Sequence, residues 1–318
     1  MAKTSCRKAI CAKILEHARQ DKSIFAVCTD SRGSVTIGAM AEELPGQFVE
    51  AGIAEQNAVA VSAGMALTGK KVFVCGPACF LAARAYEQVK VDVAYNCTDV
   101  KIIGVSAGVS YGPLGCTHTS LHDFASMRAL PNIEVLAPAD GVQARALADY
   151  LAAHKGPAYV RMGRGDVESV YEEGECFTVG RAKTVCEGGD VTIIACGEMV
   201  YYAKQAAALL TAKNIHARVL DMFCLKPADE SAVIRAARET GAIVTVEEHS
   251  VNGGLGELVS HIVCRECPVP VHILGFPDEE CLVGKSGDLF RHYGLTAENI
   301  AAQAEAAAAE KRGDWLWE

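Results

Sequence analysis

No uninterrupted run of about 18 apolar residues occurs in the 318-residue chain, and residues 1–22 mix charged and small side chains without an apolar segment. A membrane-spanning helix and a secretory leader are therefore not expected, and the cytoplasm is the default location. An excess of positive charge is also lacking. Thirty Lys and Arg face 39 Asp and Glu, for a formal net charge of −9, which disfavours nonspecific binding to nucleic acid or an anionic membrane. The 14 cysteines are too sparse for a disulfide scaffold, which typically needs roughly 8–10% Cys. Most of them sit inside apolar runs (Cys28, Cys75, Cys97, Cys196, Cys224), where a reduced thiol behaves as a small hydrophobe. Cys264 and Cys267 form a Cys-x-x-Cys, but no second pair follows at zinc spacing, so no metal is expected there. No repeat of about 20–50 residues is visible either.

What is present is a chain that can bury a large core. Half of its residues are hydrophobic and 22% are charged, and its length suggests two domains at roughly 150 residues each. Short β-branched runs alternate with alanine-rich amphipathic stretches, the pattern of parallel α/β structure. Strands are expected at 24–29, 71–75, 100–105, 134–136 and 157–162, with helices at 4–20, 54–68, 81–95, 120–129 and 141–153. A Gly- and Glu-rich stretch then reads as a linker. A second α/β unit follows, with strands at 191–195, 217–221, 242–247 and 271–275 and a last helix at 297–311. The expected domains are 1–168 and 190–318, joined by a linker at 169–189.

Between Phe48 and Asn57 the sequence passes from a strand through Gly52 into a helix, with Glu55 near the helix start among Ile53, Ala54, Ala58 and Val59. A carboxylate in such a place ordinarily offsets the positive end of the helix dipole. The alternative is a carboxyl held in an apolar wall that shares a proton with a ligand nitrogen.

These residues carry a resemblance to a family. Gly, Ile, a small residue, Glu and Gln at a strand-to-helix turn resemble the pyrimidine-binding domain of transketolase-like thiamine diphosphate enzymes. The segment GPLGCTHTSLHDFASMRALPNIEVLAPAD, from Gly112 to Asp140, is similar to the transketolase stretch with Thr-His, Arg-x-x-Pro-Asn and Pro-x-Asp. VTVEEHSVNGGLG, from Val244 to Gly256, is similar to the family's C-terminal domain. The resemblance spans nearly the whole chain in the family's order. It implies two parallel-sheet α/β domains, pyrimidine-binding and C-terminal, and transfer of a two-carbon ketol unit between sugar phosphates.

The resemblance also implies roles. Glu55 would hydrogen-bond the cofactor's aminopyrimidine nitrogen and so promote the thiazolium ylid, the cofactor itself acting as electron sink. Phe80 would stack on the pyrimidine. Arg84 and Gln88, expected on one helix face, follow it. His118 would exchange protons with sugar hydroxyls. Ser34 and Arg161 would hold the substrate's distal phosphate, with Arg164 able to share that task. Leu114 stands where long transketolases usually have Asp, Thr119 where Gln is common and His122 where Glu is common. These departures point toward a modified or branched sugar phosphate. Gly253-Gly254-Leu255-Gly256 reads as close backbone packing in the C-terminal domain, at the subunit interface, and Glu247, Glu248 and His249 before it as structural residues.

The family's Gly-Asp-Gly motif with a downstream Asn, which holds the divalent cation on the diphosphate, has no counterpart here. The expectation is therefore the C-terminal half of a split transketolase. It would pair with an N-terminal subunit that holds the diphosphate and a Mg-type cation, in a two-plus-two assembly. Competing readings are the β subunit of a 2-oxo acid dehydrogenase, a 1-deoxyxylulose-phosphate synthase-like enzyme, and a non-catalytic scaffold of the same fold.

Overall fold

Six short, β-branched stretches early in the chain become strands: β1 (Ile24–Cys28), β2 (Phe48–Glu50), β3 (Lys71–Pro77), β4 (Val100–Val105), β5 (Glu134–Leu136) and β6 (Ala158–Met162). Six more follow: β7 (Lys183–Cys186), β8 (Val191–Ala195), β9 (Ala217–Asp221), β10 (Cys224–Lys226), β11 (Ile243–Ser250) and β12 (Val271–Phe276). The computed structural model describes residues 3–311; the outer ends of the two expected domains, 1–2 and 312–318, lie outside the described residues. Every residue of β4, β6 and β8 is buried. Parallel strands covered by helices on both faces require this, and it explains why they read as continuous apolar runs.

The strands form two sheets, in the orders β10-β5-β6-β4-β3-β1-β2 and β12-β11-β8-β9-β7. All neighbours are parallel except two edge strands. β7 runs antiparallel to β9, and β10 runs antiparallel to β5 although it follows β9 in the second unit. The two expected parallel-sheet α/β domains are thus present, each sheet carrying one antiparallel edge strand. β7 falls inside the expected linker; pairing with β9, rather than its own sequence, makes it a strand.

The two units share one apolar interior. A single hydrophobic cluster runs from Val59, Val74 and Phe124 to Leu225, Val233 and Ile262. On the other face of the first sheet, helices Cys6–Gln20 and Gly141–Ala153 pack together over β1, β4 and β6. The helix expected at 81–95 is broken instead into Ala78–Ala83, Tyr86–Gln88 and a wide π-turn segment, Val89–Tyr95. Arg84 and Gln88 therefore do not share one continuous helix.

Gly104 illustrates how tightly the central strands are packed. A Cβ there would sit 2.8 Å from the Tyr159 hydroxyl oxygen, a residue with no exposed surface. Overpacking of this kind costs about 1–3 kcal/mol. Gly104→Ala is expected to lower unfolding free energy by that amount in denaturant titrations, with little change in m-value.

Candidate active site

In open α/β sheets, ligands sit beyond the carboxyl ends of the strands, where the strand order reverses. Here the order reverses between β1 and β3. The loop after β1 leads to Ser34, the one after β2 to Glu55, and β3 runs straight into the helix bearing Phe80. The loop after β4 carries His118, and the one after β6 carries Arg164. Five separate segments thus bring these residues to one end of the first sheet.

Glu55 opens helix Glu55–Leu67 and is only 4% exposed. Gly52, at φ +71°, makes the sharp turn that brings the chain from β2 to this helix. Glu55 lines a cleft of about 350 Å³ with Ile53, Ala54, Gln56 and Arg84. The Arg84 guanidinium lies 3.4 Å from both Glu55 carboxylate oxygens and 3.9 Å over the Phe80 ring. Phe80 in turn meets the His118 ring edge-on at 5.2 Å, and Tyr111 approaches the same imidazole at 5.8 Å. Thr117 Oγ1 is 2.9 Å from His118 Nδ1. The structure therefore links Glu55, Phe80 and His118 through direct neighbours.

Ser34 belongs to a second grouping. The Arg7 guanidinium donates to the backbone carbonyls of Ser34 and, at 3.0 Å, of Arg164. Arg164 donates to the Tyr111 hydroxyl at 2.6 Å and lies 4.9 Å over that ring. Both cations are thus engaged with neutral groups, leaving their charge available. Burial, and then the nearby charge of Arg164, holds the Arg7 guanidinium below its usual value. Paired cations of this kind suit an anion, and guanidinium forks suit phosphate. Tyr111 joins this grouping to His118. Nothing in the sequence singles out Arg7; only its place on helix Cys6–Gln20 beside Arg164 reveals it.

Arg161 is held differently from Arg164. It is 5% exposed, and its Nε donates to Asp123 Oδ2 at 2.8 Å. Its Nη2 donates to the carbonyls of Glu248 at 2.5 Å and Ser120 at 3.3 Å. Tyr159 adds a hydroxyl to Asp123 at 2.7 Å. The Arg161 guanidinium is thus committed to internal partners through Nε and Nη2, whereas Arg164, just past the end of β6, is the more open of the two. The three departures lie close by: Leu114 is 56% exposed, Thr119 is partly buried and His122 is exposed.

Behind Arg164 lies a larger polar cleft of about 560 Å³, lined among others by Arg7, Lys8, Glu198, Tyr202 and Glu248. Glu248 accepts from the Val109 N–H at 2.9 Å. Glu198 and Glu248 are both pushed above the usual carboxylate range by burial; the Glu198 charge raises Glu248 further, and Arg161 opposes. Glu247 is pushed up to about 7 by burial although it accepts from the N–H groups of Leu255 and Gly256. His249 is pushed down to about 4, again chiefly by burial. The glycine run does pack closely: a Cβ on Gly253 would collide with the Ala125 side chain of the first unit, and one on Gly254 or Gly256 with Glu247 or Ile273 inside the second. Among the described residues, no group of three or more His, Cys, Asp or Glu is placed to hold a metal ion. No described helix is long and apolar enough to cross a membrane.

Residues 2–169 match the transketolase pyrimidine binding domain and residues 180–300 the transketolase C-terminal domain. The chain belongs to the transketolase family. It is 55% identical over 301 residues to a subunit of the apulose-4-phosphate transketolase of Phocaeicola vulgatus, covering 94% of this chain and 96% of that protein. It is 38% identical over 298 residues to the 6-deoxy-6-sulfo-D-fructose transketolase subunit SqwH of a Clostridium species, covering 94% and 92%. A split-gene transketolase solved as an inactive β4 tetramer superposes with a TM-score of 0.89 at 38% identity, over 98% of this chain and all of that one. The protein is thus a subunit of a transketolase-type transferase, in a family that performs thiamine diphosphate-dependent ketol transfer.

The buried acids give a pH prediction. A carboxyl whose folded-state pKa is raised binds its proton more tightly in the folded protein, so its contribution to stability falls as pH rises from the unfolded value toward the folded one. Glu248→Gln removes one such group. Relative to wild type, the variant is expected to gain stability steadily between about pH 5 and pH 8, as read from unfolding midpoints across that range.

Proposed function

We propose that this chain is the subunit of a cytoplasmic two-chain transketolase that receives the cofactor's aminopyrimidine between Glu55 and Phe80 and the substrate's phosphate at Arg7, Ser34 and Arg164. The single observation that carries the reading is a nearly inaccessible carboxyl at a helix start, lining an open cleft and linked through Arg84 to an aromatic ring that touches a histidine. A planar nitrogen heterocycle fits that chemistry: an acid for the ring nitrogen, an aromatic face for stacking and apolar Ile53 beside it. Thiamine diphosphate, when bound, supplies the nucleophilic carbon and electron sink for ketol transfer.

Each residue of the chain then has a bounded task. Glu55 holds a proton shared with the ring nitrogen. His118 passes protons to and from the sugar hydroxyls at its exposed imidazole edge. Arg7 and Arg164, with Ser34 beside them, hold the phosphate and set the distance of the sugar from His118. An N-terminal subunit would provide the diphosphate and Mg-type cation site. The described residues contain no such cluster, and a relative composed of β chains alone is described as inactive. The proposed assembly is two copies of each chain.

For the substrate, we favour a branched ketose phosphate of the apulose 4-phosphate type over the pentose phosphates. The relative at 55% identity is named for that sugar, and Leu114 presents an exposed apolar side chain where long transketolases usually have a hydroxyl-recognising acid.

Reconstitution with the N-terminal subunit tests both parts. Glu55→Gln is expected to fold normally by circular dichroism and to lower kcat by about 10²- to 10⁴-fold; near-normal turnover would refute the assignment. In a panel of ketose phosphates, the wild-type complex is expected to show a higher kcat/KM for apulose 4-phosphate than for xylulose 5-phosphate, and the reverse ranking would refute the substrate proposal.

A further inference from the structure

The seat assigned above to the cofactor ring already contains a planar cation. The Arg84 guanidinium is stacked on Phe80 at 3.9 Å and faces both oxygens of Glu55 at 3.4 Å. Stacking on an aromatic face while presenting N–H groups to a carboxyl is what guanidinium geometry allows and an ammonium does not. It also meets the two demands that an aminopyrimidine must satisfy in the same place.

We propose that Arg84 is a built-in occupant of the ring seat, holding Glu55 and Phe80 in position until the aminopyrimidine displaces it. The proposal rests on the functional reading of Glu55 and Phe80 given above. Two features make the arginine displaceable. Its contacts with Glu55 are longer than the roughly 2.7–2.9 Å of a strong charge-assisted hydrogen bond. Its side chain is 49% exposed, against 5% for Glu55, so it can leave toward solvent without opening the core. Its backbone N–H donates to the Phe80 carbonyl at 2.9 Å, which fixes the base of the side chain beside the ring it covers. Arg84 also sits where helix Ala78–Ala83 ends, before Tyr86–Gln88 begins, so its position follows from the break in the expected helix.

A seat that must first be vacated weakens apparent affinity by the fraction of molecules in which it is free. Removing the occupant removes that loss. The test uses the complex with the N-terminal subunit, freed of cofactor, and titrates thiamine diphosphate with Mg²⁺ by calorimetry and by stopped-flow fluorescence. Arg84→Gln is expected to bind about 3- to 10-fold more tightly, with the gain mainly in the association rate. Its cofactor-free complex is expected to melt at a lower temperature than wild type, while the loaded complexes melt alike. Arg84→Lys keeps the charge and loses the planar stack, so it should fall between the two, and it serves as the test if Arg84→Gln does not assemble. Equal affinity in wild type and both variants would overturn the proposal. Weaker binding by the variants would overturn it too and would make Arg84 a cofactor-retaining residue. Absence of thiamine diphosphate binding by the wild-type complex would instead overturn the functional reading, and this proposal with it.

Discussion

One enclosed guanidinium holds the architecture of the site in register. Arg161, on β6, is paired to Asp123 at 2.8 Å in the helix that follows the His118 loop, and it binds the Glu248 carbonyl on β11 of the second unit. Phe124 lies beneath it at 4.4 Å, and Tyr159 donates a further hydrogen bond to the same Asp123 oxygen. Burying two charges is costly, and the pair is tolerable only with good geometry and additional hydrogen bonds. Here those bonds come from three segments at once. The energetic penalty for misplacing any of them is what fixes the His118 loop against β6 and against the second unit.

From that frame, the arrangement of the polar groups follows. The acid, Glu55, sits where β2 gives way to a helix; the aromatic, Phe80, where β3 does; the imidazole follows β4 and Arg164 follows β6, while Arg7 joins them from helix Cys6–Gln20. Parallel strands place these junctions at one end of the sheet, so residues more than a hundred positions apart converge there. The charges are also segregated. Arg7 and Arg164 make contacts with carbonyls and a phenol, whereas the buried carboxyls Glu198 and Glu248 lie deeper, toward the second unit. An anion arriving at the two arginines therefore meets cations first, with the acids held nearer neutrality by burial.

Much of this was legible in the sequence, for a physical reason. Strands buried on both faces show as unbroken β-branched runs, and Gly52 followed by Glu55 marks a strand-to-helix turn whatever surrounds it. What the sequence leaves hidden is equally instructive. Arg161 and Arg164 are three residues apart and chemically identical in the sequence, but one lies within a strand buried on both faces and the other just beyond its end. Only a buried strand position forces an arginine to find an internal carboxylate, and Asp123 lies 38 positions away, beyond any local pattern. Arg7 is separated from Arg164 by 157 residues. The three-residue strand β10 exists because β5 offers it an edge, and nothing in Cys224-Leu-Lys226 announces that partner. The break before Tyr86 likewise has no proline or glycine to signal it.

The helix that begins with Glu55 joins the chemistry to assembly. Its inner side packs Ala58, Val59 and Ala63 into the core, yet Val61 and Leu67 point outward, with Leu67 75% exposed. Ile53, just ahead of it, is 77% exposed, and Tyr95 on the neighbouring π segment is 76% exposed. A helix apolar on both sides is one whose outer side belongs against something else. In the two-plus-two arrangement proposed here, that covering would close over the cleft at Glu55 and exclude water from it. Coulombic and hydrogen-bonding interactions strengthen as the surrounding dielectric falls. The hold of Glu55 on a ring nitrogen, and its competition with Arg84, would then be decided in the assembled interface and not on the exposed face of a single chain. Assembly in this scheme does more than bring two half-sites together: it supplies the dry environment in which one carboxyl can govern a proton.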